Sequence, residues 1–360
     1  MPAGWLVDRI GPRRMLTAIV VWWSVFTGLT AAAWNATSLM AIRFLFGIGE
    51  AGAFPSATRA FSRWLAPSER GFAQGITHSG SRLAGSLTPA ATAAMIGAWG
   101  WRSVFVLFGG VGLVWAVVWF AWYRDRPEEH RAVSPAELER IASGRAQSGA
   151  AAGSLSWPAL LGSAHTWYFC GMYFCYGYVL WLFLNWLPSY FTEVRHFTLL
   201  KAGIFAGIPL LAGTVTNTLG GWWSDRLYLE TGDLRRSRRL VAQVGFGVAF
   251  LFVALGVLAE SPVVAIVLMA TAVAGLELTT GVSWAVPLDI GRDHAGQVSG
   301  LMNMFGNVGG AISPIIFALL VDTTGSWTPP FILGSALCLI AGLLWLKIDP
   351  SRPVETVSGA

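Results

Sequence analysis

The chain predicts an all-α polytopic membrane protein built as two pseudo-symmetric helical halves. Three observations predict it. Apolar residues fill 54% of 360 positions and charged residues only 12%, against about 25% charged in soluble domains. So few charges cannot cover a soluble particle of this size, whereas lipid can. Ten stretches are long and apolar enough to cross a bilayer, which takes about 20 residues each. A short motif also occurs twice: Gly4-Trp5-Leu6-Val7-Asp8-Arg9 and Gly221-Trp222-Trp223-Ser224-Asp225-Arg226. Each copy closes an apolar stretch and leads into a basic cluster, Arg13 and Arg14 in the first and Arg235, Arg236, Arg238 and Arg239 in the second. Such a repeat in an apolar chain points to duplicated membrane halves.

In chain order, residues 1–7 read as the tail of an earlier helix. The spans follow at 15–33, 38–59, 71–97, 103–123, 165–190, 201–223, 240–259, 262–286, 297–321 and 328–347. With the Asp8-Arg9 loop placed in the cytoplasm, alternation puts 19 of the 24 cationic side chains on that side. This is a positive-inside bias. Outside loops hold only Arg102, Arg195 and Lys201, while Arg43 and Arg82 fall inside spans. The 19 tryptophans suit interfacial belts. The predicted organisation is a first half-bundle over 1–124, a cytoplasmic linker over 125–164, a second half-bundle over 165–348 and a cytoplasmic tail over 349–360. Inside the linker, Ser134-Pro135-Ala136-Glu137 reads as a capping box opening a short helix from Pro135 to Ser143. That helix is either a strut coupling the halves or a tether.

The same residues exclude several functions. The formal charge of +5 comes from short scattered loops, not from a nucleic-acid-binding face. Cys170, Cys175 and Cys338 lie in apolar runs and read as buried hydrophobes, without a disulfide or metal role. No metal cluster, phosphate loop or nucleophile elbow stands out, so neither an enzyme nor a cofactor is expected. No cleavable signal peptide precedes the first basic loop.

The pattern from Gly4 to Arg14 resembles the signature loop between helices 2 and 3 of the major facilitator superfamily. Its echo at Gly221 to Arg226 matches the loop between helices 8 and 9. Arg43 to Pro55, Glu69 to Gly75, Gly100 to Phe105, Asn185 to Tyr190 and Asn303 to Pro314 resemble one branch of it, the anion:cation symporter family. The resemblance implies a major facilitator fold and proton- or sodium-coupled uptake of an organic anion, such as a hexuronate, galactonate, glucarate or aromatic acid. It numbers the ten spans 3 to 12 and implies that helix 1 and most of helix 2 are missing. The implied protein acts as a monomer in the inner (plasma) membrane, with linker and C-terminus cytoplasmic. Its partners are a small carboxylate, a coupling proton and the lipid bilayer. An exchanger or effluxer of the same fold, a non-transporting receptor and an inactive truncated product remain the alternatives.

The charged residues inside spans carry the chemistry. A charge there costs roughly 2.5–3.5 kcal/mol on insertion scales and usually faces a water-filled cavity. Arg43 and Glu50 are seven residues apart, two helical turns and about 10 Å on one face. Glu50 lies among Gly47, Gly49, Ala51, Gly52 and Ala53. Close helix approach at these small residues would leave it poorly hydrated and favour its protonated form. Glu50 is therefore the candidate proton carrier. Arg43 either attracts the substrate anion or restrains Glu50. Arg82 is a second candidate for the anion, unless it pairs with Glu50 or snorkels. His78, one turn away, is a ligand or a packed histidine. Tyr173, Asn185, Asn303 and Asn307 offer hydrogen bonds to a hydroxylated anion, although tyrosines at helical spacing also serve as core or belt. Glu277 is either a second proton relay or an interhelical hydrogen-bonding group. Asp8, Arg9, Arg13, Asp225 and Arg226 form a candidate conformational latch, with topology-setting as the simpler role for the arginines.

Overall fold

The structure is a computed structural model that describes residues 2–148 and 155–354. Among the described residues every regular element is helical. The repeated motif opens the chain as α1 (Pro2–Ile10). Gly11 then turns the backbone at φ 85°, a conformation costly for residues with a Cβ. Pro12, pre-set for a first helical turn, starts α2 (Pro12–Thr30). Asn35 and Ser38 form a reciprocal capping box at the start of α3 (Ala36–Glu50). The expected single span over 38–59 is broken at Ala51-Gly52, after which α4 (Ala53–Trp64) resumes. The spans expected at 71–97 and 103–123 form α5 (Arg70–Trp122), interrupted at Gly100, whose φ of 77° and ψ of 160° are not helical.

In the linker, Ser134 Oγ accepts the Glu137 amide at 3.2 Å and opens α6 (Pro135–Ser148). It runs five residues past the expected end at Ser143. The short α7 (Trp157–Gly162) leads into α8 (Ala164–Glu193), then α9 (Leu199–Thr231), α10 (Leu234–Leu258) and α11 (Pro262–Leu278). The expected span over 262–286 breaks at Thr279, and α12 (Thr280–Gly291) follows. The chain closes with α13 (Ala295–Thr324) and α14 (Thr328–Trp345). Residues 149–154 of the predicted linker and 355–360 of the predicted tail lie outside the described residues. Seven helical stretches, merged across short breaks, are long and apolar enough to cross a membrane among the described residues.

The helices gather into two compact units. One comprises Met1–Ala66, Leu87–Ala151 and Gly291–Gly300; the other comprises Pro67–Ser86, Ala152–Ile290 and Leu301–Ala360. In the first, α2 lies along α3 and α4. Val7, Met15 and Ile19 form one apolar cluster, and Leu16, Val20 and Ala116 a second. In the second, α10 packs against α9, α11 and α14, while α8 packs against α14 and α9. Both broken spans carry a glutamate next to the break: Glu50 ends α3, and Glu277 is the last residue but one of α11. Irregular backbone within a span is a usual mark of a site in transport proteins.

Candidate functional site

In the first unit, Arg43 and Glu50 both lie on α3 and both are exposed within that unit. Trp22 of α2 donates its indole N–H to the Leu45 carbonyl at 2.7 Å and packs on Gly49. At 100° per residue, positions 43 and 50 point about 130° away from that contact, so they share a face turned from α2. The Arg43 guanidinium lies 5.2 Å from the Phe105 ring centroid and 5.5 Å from that of Phe46. Among the described residues neither Arg43 nor Glu50 has an oppositely charged partner, so the structure does not pair them.

The second unit holds a connected polar group inside the spans. Arg82 of α5 donates from Nε to Glu277 Oε1 at 2.7 Å and from Nη2 to Tyr176 Oη at 3.2 Å. Asn217 of α9 donates from Nδ2 to Glu277 Oε2 at 2.7 Å. Thr280 Oγ1 donates to the same oxygen at 3.2 Å and lies 2.8 Å from Tyr176 Oη. Glu277 is wholly buried, whereas the Arg82 side chain keeps 17% of its surface. Gly213 makes room for this on α9, because a Cβ there would lie 2.9 Å from Glu277 Cγ. In the sequence Glu277 has no visible mate and Arg82 has three possible roles; helix packing makes them partners.

Aromatic groups brace this pair. Tyr173 stacks on Tyr176 with centroids 5.0 Å apart, and its hydroxyl accepts the Trp284 indole N–H at 2.6 Å. His78 lies 5.1 Å from Trp284, and both are buried. Tyr173 and His78 therefore support the walls around Arg82 and Glu277. Asn185 is exposed within the unit. Asn307 is spent in part on its own helix, donating from Nδ2 to the Asn303 carbonyl at 2.9 Å.

The two motif aspartates do the same job at different helix starts. Asp8 accepts the Gly296 and Gln297 amides at 3.1 and 2.7 Å, on the first turn of α13. Asp225 accepts the Gly71 and Phe72 amides at 3.2 and 2.7 Å, on the first turn of α5. Both carboxylates thus satisfy open helix N–H groups and meet the positive end of a helix dipole. Arginines outside the repeated motif meet them. Arg59 Nε reaches Asp8 at 3.3 Å, and Arg238 bonds Asp225. Arg9 instead lies over the Trp5 ring, Arg13 donates to the Phe120 carbonyl, and Arg226 pairs with Glu230 one turn on. Adjacent helical residues point about 100° apart, so Arg9 and Arg226 cannot share the aspartates' faces. Arg238 also bonds Asp289 at 3.2 Å, and Asp289 bonds Arg70 at 3.0 Å, a buried set of two aspartates and two arginines.

Asp8 is less fully compensated. Burial pushes its carboxyl from the usual 3.8 up to about 7, against the pull of Arg59, the Gln297 and Gly296 amides, and Arg63. The folded protein thus holds this proton more tightly than the unfolded chain. The resulting stability is full below about pH 3.8 and is lost as pH rises through about 7. Asp8→Asn is expected to remove this component. The gap in unfolding free energy between wild type and D8N then changes with pH by up to about 1.4 kcal/mol per unit across that window. Denaturation in detergent from pH 4 to 8 reads it; parallel curves would contradict it.

Comparison with known proteins places the arrangement in a family. A model described as Major Facilitator Superfamily matches residues 1–314 and 290–360. The chain belongs to this superfamily. It is therefore a multi-pass membrane transporter. It is 40% identical over 354 residues to "Probable sulfoacetate transporter SauU" of Cupriavidus necator, covering 98% of this chain and 82% of that protein. It is 29% identical over 350 residues to the "Hexuronate transporter" of Bacillus subtilis, covering 96% and 81%. Its fold matches the crystal structure of the superfamily transporter FucP in the outward conformation, with a TM-score of 0.70 at 12% identity over 96% of this chain and 85% of that one.

Sequence reasoning missed Asn217, Thr280, Arg59 and Arg238 as members of these groups. Asn217 had a visible signal, an amide in the apolar α9 segment. Arg238 had none, being one of four arginines in a basic cluster.

Proposed function

We propose that this protein carries a small organic anion inward together with protons, by alternating access, as a monomer in the inner (plasma) membrane. The linker and C-terminus are cytoplasmic in this reading, and two halves, 1–124 and 165–348, rock to alternate access. The observation that supports it best is Arg82. It is a cation inside a span, held on one edge by the buried carboxylate of Glu277 and still partly open. Its Nη1 has no protein acceptor among the described residues, so an anionic head group can reach it. Arg43, which has no carboxylate partner among the described residues, is a second cation inside a span. Glu50 and Glu277 are the proton-carrying carboxylates, each at a helix C-terminus, a poor place for a fixed negative charge. Tyr173, His78, Asn185, Asn303 and Asn307 shape and line the path, and Asp8 and Asp225 latch helices whose release accompanies the rocking. The relatives named for sulfoacetate and hexuronate transport make short sulfo- and hydroxycarboxylates the first substrates to try.

Purified protein in proteoliposomes tests this. Labelled sulfoacetate, glucuronate and glucarate are offered with an inward proton gradient, a sodium gradient or none. At least one anion is expected to accumulate under the proton gradient alone and to stop doing so with a protonophore. Accumulation that requires a trapped counter-anion and ignores the gradient would make the protein an exchanger.

A further inference from the structure

The two oxygens of Glu277 have different surroundings. Oε1 faces the guanidinium of Arg82, a group that can only donate. Oε2 faces Asn217, Thr280 and Tyr176, the last at 3.4 Å. Each of these three can either donate or accept. The hydroxyls reverse by turning one O–H bond, and the amide reverses by a half-turn about its last torsion. Asn217 is itself wholly buried, and its Oδ1 has no hydrogen-bond partner among the described residues. An idle buried acceptor is destabilising, so its retention beside a carboxylate calls for a role.

We propose that Asn217 is a positioning residue for proton loading: it sets the pH at which Glu277 takes a proton on Oε2, while Arg82 keeps Oε1. With Glu277 ionised, Nδ2 donates to Oε2. When the coupling proton adds to Oε2, the carboxyl goes from minus one to neutral and the new O–H needs an acceptor. A half-turn of the amide presents Oδ1 to it, and Thr280 and Tyr176 reorient by rotating their hydroxyls. The hold of Glu277 on Arg82 falls from a charge pair to a hydrogen bond to a neutral oxygen. Arg82 then turns its charge to an incoming anion without leaving its place. Deprotonation reverses every step.

The groups facing Glu277 are Arg82 from α5, Tyr176 from α8, Asn217 from α9 and Thr280 from α12, with Tyr173 and His78 beyond them. Of these, Arg82 carries a fixed charge. The inference rests on the symport reading above and refines it by assigning the donor–acceptor switch.

The test is the pH midpoint of proton-driven uptake in proteoliposomes, normalised to each variant's own maximum. Asn217→Leu removes a donor that favours ionised Glu277 more than the neutral form, since bonds to a charged group are roughly twice as strong. Its midpoint is expected to move alkaline by about one unit, a tenfold gain in proton affinity. Asn217→Asp places a second carboxylate beside the first and is expected to move it the same way. In a Glu277→Gln background, read as the pH dependence of anion exchange, which needs no net proton movement, neither substitution is expected to shift the profile further. An unchanged midpoint in N217L and N217D, or a shift that persists with E277Q, overturns the proposal. If N217L does not fold, N217D alone decides. Wild-type uptake that ignores the proton gradient would instead overturn the symport reading itself.

Discussion

Arg82→Ala is expected to lower uptake by roughly tenfold to a hundredfold and to destabilise the protein at the same time. The transport loss follows from removing a charge-assisted contact to the anion, worth about 1.5–3 kcal/mol. The stability loss follows from Glu277, which is wholly buried. Without Arg82 its charge keeps only the neutral donors Asn217, Thr280 and Tyr176. Breaking a buried pair from one side costs about 3–5 kcal/mol, whereas removing both partners is often neutral. The double variant R82M/E277L is therefore expected to recover much of the melting temperature and none of the uptake. Lysine at position 82 is expected to rescue only in part, because an ammonium cannot serve Glu277, Tyr176 and an anion from one planar fork. Uptake rates and thermal unfolding in detergent separate the two effects. An R82A protein that transports at the wild-type rate would remove Arg82 from the substrate path.

The second large effect is expected at Glu50. Glu50 ends α3, is exposed within its unit and has no cationic partner among the described residues. No fixed positive charge among them therefore holds it ionised. Glu50→Gln keeps the shape and removes the titration. Net uptake against a gradient is expected to fall at least tenfold, while exchange of internal for external anion survives, because exchange never requires the carrier to return empty. If E50Q accumulates substrate under a proton gradient as the wild type does, Glu50 carries no coupling proton.

Much of the fold is legible in the chain because lipid enforces simple rules. A span must be about 20 apolar residues long and helical wherever its backbone faces lipid, and each expected segment corresponds to a helix or a broken helix. The breaks are less visible. Ala51-Gly52 reads as a small-residue stretch, and Thr279 gives no warning before α12 resumes. The charges inside spans announce themselves by their cost, which is why Arg43, Glu50, Arg82 and Glu277 stand out. Their partners do not. Helical spacing tells which residues share a face of one helix, and it is silent on which face of another helix comes to meet it. That is why Glu277 has no visible mate although Arg82 and Asn217 are both in view. It is also why the groups that meet the motif aspartates cannot be read from the motif. The helix starts at Gly71 and Gly296, with Arg59 and Arg238, are neighbours only in space.

In the proposed cycle anion and proton move together. The most direct measurement uses proteoliposomes holding a trapped pH dye, equal pH on both sides, and potassium with valinomycin to clamp the voltage. The anion that accumulates in the uptake assay is added outside at pH 7, where carboxylates and sulfonates carry almost no protons of their own. Acidification of the interior that tracks substrate entry in the wild type, and is reduced or lost in Glu50→Gln, is the predicted result. Entry of substrate with the interior pH unchanged would contradict it.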